Sequence, residues 1–236
     1  MFSMIRKINS LAEDYLKDAV YAASDGIVTT FAIVAGVVGA SLSPMVVLIL
    51  GFANVLADGI SMAAGNYLGT KSESDQYESE LSKEEKVFNT STEEAEKEVK
   101  EIFSEKGYSA QDAETITPLI IKNKKFFLDF IIFERKGLSV TSNSDAVKAS
   151  VVTLIAFIIA GTIPLLPFVI FYNSVIVNQF LYASIFAGGA MFLVGSARTM
   201  YSDKRWWAGG FEMLLVAGLA AVVAYFVGDF LSGFIN

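Results

Sequence analysis

ASVVTLIAFIIAGTIPLLPFVIFYNSVIVNQFLYASIFAGGAMFLVGSA, residues 149–197, runs for 49 residues without one Asp, Glu, Lys or Arg. As a single α-helix it would reach roughly 73 Å at ~1.5 Å per residue, about twice what a ~30 Å hydrocarbon core needs. The segment must therefore fold back once, and the polar patch Tyr172-Asn173-Ser174, ending near Asn178-Gln179, is the expected turn. The same reasoning divides residues 26–57 at Ser41-Leu42-Ser43-Pro44. Five spans result, at about 18–40, 44–69, 148–171, 179–198 and 207–232. The expected fold is an all-α integral membrane protein.

Composition agrees. Of 236 residues 53% are hydrophobic, and the mean hydropathy is +0.50, too apolar for a chain with a fully wetted surface. The 18 Lys and Arg residues all fall on one side of the span pattern. Arg6, Lys7 and Lys17 precede the first span, eleven lie between Lys71 and Lys136, Lys148 opens the third, and Arg198, Lys204 and Arg205 separate the fourth from the fifth. By the positive-inside rule the N-terminus is expected in the cytosol and the C-terminus on the far side. The first residues carry Arg6 and Lys7 before a polar stretch and do not read as a cleavable signal. With neither Cys nor His, disulfides, thiolate sites and imidazole ligands are excluded. Metal or proton chemistry is left to carboxylates, Met sulfur, amides and carbonyls.

Residues 71–145 break the membrane pattern, dividing the chain into 1–70 with two spans, an acidic insertion, and 146–236 with three spans. The insertion holds 17 acids against 11 bases, a balance that argues against nucleic acid as a partner. Its periodicity predicts two helices between residues 79 and 106, broken near Asn89-Thr90-Ser91, with Ser91 or Thr92 as N-cap and Glu94 nearby. Gly107 should end the second, Ser109 cap a third through about Ile121, and residues 124–133 form a fourth. So small a cytosolic helical domain is short of core and is expected to lean on extended membrane helices or on a partner copy. Glu94, Glu98, Glu101 and Glu105 make one stripe at i, i+4, i+7 and i+11, and Glu80 and Glu84 a shorter one. Two such stripes suit divalent cations through oxygen ligands. A solvated acidic face laced with Lys97, Lys100 and Lys106 is the plainer account of the same spacing.

The lone acids in apolar surroundings, Asp25, Asp58, Glu212 and Asp229, carry more information, because a charge in hydrocarbon costs at least a few kcal/mol. Asp14, Asp18 and Asp25 descend the first span at i, i+4 and i+11, as an entry path for cations would. Asn54, Asp58, Met62 and Asn66 repeat every four residues on the second span, pairing a hard oxygen ligand with a soft sulfur on one face. Helix kinks at the following glycines, or asparagine contacts between helices, are the structural alternatives. Glu212 sits beside Trp206 and Trp207 in an interfacial belt, and Asp229 near the far end. Small residues four apart, Ala32, Gly36 and Ala40 on the first span and Ala220, Ala224 and Gly228 on the fifth, predict close helix contacts. Pro164 and Pro167 should kink the third span.

At Asp25-Gly26-Ile27-Val28-Thr29-Thr30 and at residues 57–65, Ala-Asp-Gly-Ile-Ser-Met-Ala-Ala-Gly, the sequence resembles the vacuolar iron transporter family. Ile163-Pro164-Leu165-Leu166-Pro167 and Gly210-Phe211-Glu212-Met213-Leu214 extend the likeness over nearly the whole chain. The resemblance implies five spans, a homodimer, a cytosolic helical domain, and export of Fe2+, and often Mn2+, from the cytosol in exchange for protons. It implies translocation roles for Asp25 and Met62 and places Asp14 and Asp18 among cytosolic-side acids. The insertion departs from the family pattern: Ile131-Ile132, Glu134 and Arg135 stand where a Met pair and a Glu are usual, and Asn66 replaces a Glu. Glu84 and Glu98 remain the better matches to its cytosolic metal ligands, with Glu94 and Glu101 beside them.

The combined expectation is a divalent-cation transporter in a cell membrane, or a vacuolar one in a eukaryote. It has no resident cofactor, takes Fe2+ or Mn2+ as cargo, and adds a metal in the cytosolic domain if the glutamates serve as ligands. Lipid and a second copy are its expected partners. The rival is a membrane-anchored sensor or scaffold whose insertion binds a partner near Phe126, Phe127, Phe130 and Phe133. No nucleophile–base pair suggests an enzyme.

Overall fold

A computed structural model of the chain describes residues 2–140, 143–172, 178–199 and 205–235, with side chains described from Tyr15 onward. Among these residues the structure is helical, without a strand. Helices α1 (Phe2–Gly39), α2 (Pro44–Thr90), α6 (Asn143–Thr162), α8 (Gln179–Arg198) and α9 (Trp206–Ile235) contain five stretches long and apolar enough to cross a membrane. Between them lie α3 (Thr92–Glu105), α4 (Ala110–Ile121) and α5 (Lys124–Lys136). The chain divides into two compact units, Met1–Asn66 with Lys148–Asn236, and Tyr67–Val147.

In the first unit, α1 and α2 separate where the polar turn was expected. Ser41 takes a left-handed φ of 57°, the turn closes through Leu42 N to Val37 O at 3.1 Å, and α2 opens on Pro44. The third span ends its α-helix at Thr162, tightens into a 3-10 turn over Ile163–Leu165, and resumes as α7 (Leu166–Ile170). Pro164 and Pro167 are the second residues of those last two pieces, within the first turn where proline is tolerated. The expected fold-back begins at Tyr172, but residues 173–177 lie outside those described.

Small residues bring backbones together. A Cβ on Gly228 of α9 would collide with the Gly36 carbonyl of α1 and stand 3.0 Å from Ala40 N. Gly39 meets the Tyr225 backbone in the same seam, and Gly36 the Ala224 carbonyl at 3.4 Å. Gly195 and Gly209 join α8 to α9 in the same manner, and Gly26 of α1 rests on the Phe157 carbonyl of α6. Helix α2 is seated differently. Gly51 and Gly59 face side chains, Leu165 in one case and Phe157, Leu154 and Ile158 in the other. Asn66 Nδ2 of α2 also donates to Thr153 Oγ1 of α6 at 2.7 Å.

The second unit has its own core: Ala95, Val99, Ile102, Ile120, Phe127, Leu128 and Ile131, flanked by Leu81, Phe88 and Phe130. Its helices start on side-chain caps, Ser91 accepting from Glu94 N, Ser109 from Asp112 N, and Asn123 from Phe126 N. Gly107 at φ 88° follows α3, and Gly137 at φ 68° ends α5. One boundary differs from expectation. The first insertion helix is the continuation of α2, unbroken from Pro44 to Thr90. Residues 65–79 turn from apolar to charged and include Gly65, Gly69 and Thr70, but no proline, and the helix runs through them without a break.

Candidate translocation site

Helix α1 carries Asp25 in a continuous helical run where its neighbours' hydroxyls are already satisfied. Ser24 Oγ donates to Val20 O at 2.7 Å and Thr29 Oγ1 to Asp25 O at 2.9 Å. The Asp25 carboxylate is half-buried, and no donor among the described residues is hydrogen-bonded to it. It lines a cavity of about 700 Å³ between α1, α8 and α9, with Lys17, Tyr21, Ser24, Arg198 and Met213 and otherwise aliphatic walls. Asp58, half-buried on α2, is near enough for its charge to act on Asp25. Two acids from separate helices thus share one electrostatic field inside an apolar unit.

The other predicted residues fall as follows. Met62 is half-buried on the α2 stripe but is not among the side chains lining the Asp25 cavity. Asp18 is half-buried nearly two turns before Asp25 and is also absent from the lining. Asp14 belongs to α1, and its side chain lies outside those described. Farther along the stripe, Asn54 Nδ2 is buried without a hydrogen-bond partner among the described residues, as is Thr30 Oγ1 on α1. Sequence reasoning missed Arg198 and Met213 as neighbours of Asp25. Met213 stood inside a motif already singled out, but its placement depends on how α8 and α9 cross.

In the second unit the acidic stripe meets Arg135, and its Glu101 also lies 3.8 Å from Lys97. Arg135 of α5 lies 3.6 Å from Glu98 and 3.3 Å from Glu101, and its Nη1 donates to both Glu105 oxygens at 3.0 and 3.1 Å. Lys136 beside it reaches Glu80 at 3.7 Å. Glu84 and Glu98 are half-buried, while Glu94 and Glu101 are exposed. Among the described residues no group of three or more carboxylates is disposed to hold a metal ion.

Burial first, and the charge of Glu84 second, raise Glu98 above the usual carboxylate range, with Arg135 pulling the other way. A carboxyl raised in the folded state adds stability that is fully present below its unfolded value and is lost as pH rises through the folded one. Acidification from neutral should therefore raise the protection factors of the buried Val99 and Ile102 amides, the exchange rates being divided by the intrinsic rate at each pH, until the pH passes the ordinary Glu value. Glu98→Gln should flatten that trend without weakening α3 at neutral pH. A steeper trend in the variant would contradict the assignment.

Five apolar helices, with acids on two different spans and one of them facing a cavity, define a multi-pass membrane protein. Residues 16–229 match the model of the VIT family. The chain belongs to that family. It is 35% identical over 227 residues to a vacuolar iron transporter of Toxoplasma gondii, covering 93% of this chain and 75% of that one. Vacuolar iron transporter 1 of Arabidopsis thaliana is 28% identical, with 91% and 85% covered, and the vacuolar iron transporter of Centaurea cyanus 30%, with 91% and 86%.

Proposed function

We propose that this chain exports a divalent transition-metal ion from the cytosol, Fe2+ first and Mn2+ as well, in exchange for protons. Asp25 receives the ion, Asp58 shares its charge, and Met62 supplies a soft ligand farther along the path. Asp14 and Asp18 draw cations toward the entrance. The observation that carries this reading is the Asp25 carboxylate, half-buried in an apolar span, open to a cavity and without a hydrogen-bonding partner among the described residues. A buried acid held only for packing would be satisfied by its neighbours. Names given to the relatives support iron as cargo.

The Lys and Arg pattern supports a cytosolic N-terminus, and a homodimer would enclose the path on the side that one copy leaves open. Because the chain has no cysteine, single cysteines placed before and after the spans report orientation directly. Light scattering in detergent reports the dimer. Glu84, Glu94, Glu98 and Glu101 would collect metal only in competition with Arg135 and Lys136.

The deciding experiment is flux into proteoliposomes across a metal series, with internal pH recorded. Uptake of Fe2+ or Mn2+ with a matching proton movement is expected, and Met62→Leu should lower Fe2+ uptake more than Mn2+ uptake. A sealed, correctly folded preparation with no flux for any divalent ion would instead favour the anchored scaffold, to which the exposed Phe126 and Phe133 of the second unit would lend a docking face.

A further inference from the structure

Two cations, Lys17 and Arg198, line the same cavity as Asp25. That is an awkward lining for a receiver of divalent cations, since a guanidinium is a permanent positive charge with five donors and a long reach. Arg198 closes the last turn of α8, and its Nη2 donates to Glu212 Oε2 on the second turn of α9. Glu212 is not itself among the lining residues, although its chain neighbour Met213 is. The carboxylate therefore draws the guanidinium toward a point outside the cavity lining.

We propose that Glu212 is a positioning residue for transport: it holds Arg198 off Asp25, so that the carboxylate stays available to the metal. This rests on the reading of Asp25 as the receiving group. Among the described residues that line the cavity the acid is Asp25, which has no hydrogen-bonded partner there. Without Glu212, Arg198 would bind it as an intramolecular cation in direct competition with the incoming ion. The pair is well exposed, with Arg198 at 43% and Glu212 at 60% of side-chain surface, so it adds little to stability. A structural brace would be buried. The arrangement suits a charge that must be kept occupied elsewhere.

The test is Mn2+ uptake by the full-length protein in proteoliposomes, comparing Glu212→Gln, Arg198→Gln, the double variant and Glu212→Asp. Competition raises the apparent KM, so Glu212→Gln should increase it about tenfold or more with little change in maximal rate. Arg198→Gln on that background should restore it, Glu212→Asp should remain close to wild type, and Arg198→Gln alone should keep full flux. A Glu212→Gln protein with wild-type KM, or a double variant no better than the single, overturns the proposal. If Glu212→Gln does not yield folded protein, Arg198→Gln decides: preserved flux supports the proposal, and collapsed flux shows that the ion pair is needed as such. Loss of flux in Asp25→Asn alongside unchanged Glu212→Gln would remove this inference and leave the receiving site standing. Unchanged flux in Asp25→Asn would remove the receiving site itself.

Discussion

Asp25→Asn should bring metal uptake in proteoliposomes down by roughly a hundredfold or more, while leaving the melting temperature of the protein within a degree or two. The size follows from charge. A unit charge about 4 Å away at an effective dielectric constant of about 20 is worth about 4 kcal/mol, and a divalent ion feels more. Losing even about 3 kcal/mol of that attraction corresponds to a factor of more than a hundred. The amide has the shape of the acid but not its charge, and the charged groups left on the cavity lining are Lys17 and Arg198. On the proposed reading, the field at the cavity then repels a divalent cation. The small stability effect follows from the absence of any hydrogen bond to that carboxylate among the described residues. Asp58→Asn should give an intermediate loss, because Asp58 acts on Asp25 through space and does not line the cavity. Full uptake in a folded Asp25→Asn protein would refute the site.

Gly228→Leu should be the most damaging change to the fold. Its new side chain would have to occupy space filled by the Gly36 carbonyl and the Ala40 amide, both backbone. Overpacking against side chains costs typically 1–3 kcal/mol because rotamers give way. Here nothing can rotate, so about 3 kcal/mol or more is expected, or failure to assemble. Gly218→Leu supplies the control on the same helix, since nothing stands within 4 Å of its added carbon. Thermal unfolding followed by the fluorescence of Trp206 and Trp207 would distinguish the two. Equal melting temperatures for both variants would mean that α1 and α9 do not meet as described.

Much of this architecture could be read in the sequence because bilayers impose a length rule and capping residues impose an ending rule. The charge-free run of residues 149–197 had to fold, Ser41 to Pro44 had to turn, and Ser91, Ser109 and Gly107 marked helix limits that the structure keeps. The uninterrupted course of α2 was missed because a switch from apolar to charged residues, with Gly65 and Gly69 in it, resembles a boundary although the helix continues. Asp25 stood out as an isolated charge. Its surroundings did not, since Arg198 and Met213 reach the same cavity only through the crossing of three helices. Arg135 likewise meets Glu105 from 30 positions away, and no local spacing encodes that encounter.

The glycine seams also determine which parts can move. Where main chain rests on main chain, as at Gly228 on Gly36, Gly195 on Gly209 and Gly26 on Phe157, sliding would break many close contacts at once. Helices α1, α6, α8 and α9 are accordingly held against one another. Helix α2 rests at Gly51 and Gly59 on Leu165, Phe157, Leu154 and Ile158, whose rotamers can change, so it is the helix freer to shift, and Asp58 and Met62 would shift with it. Spin-label separations between α1 and α9 should then stay constant through turnover while those measured from α2 shift.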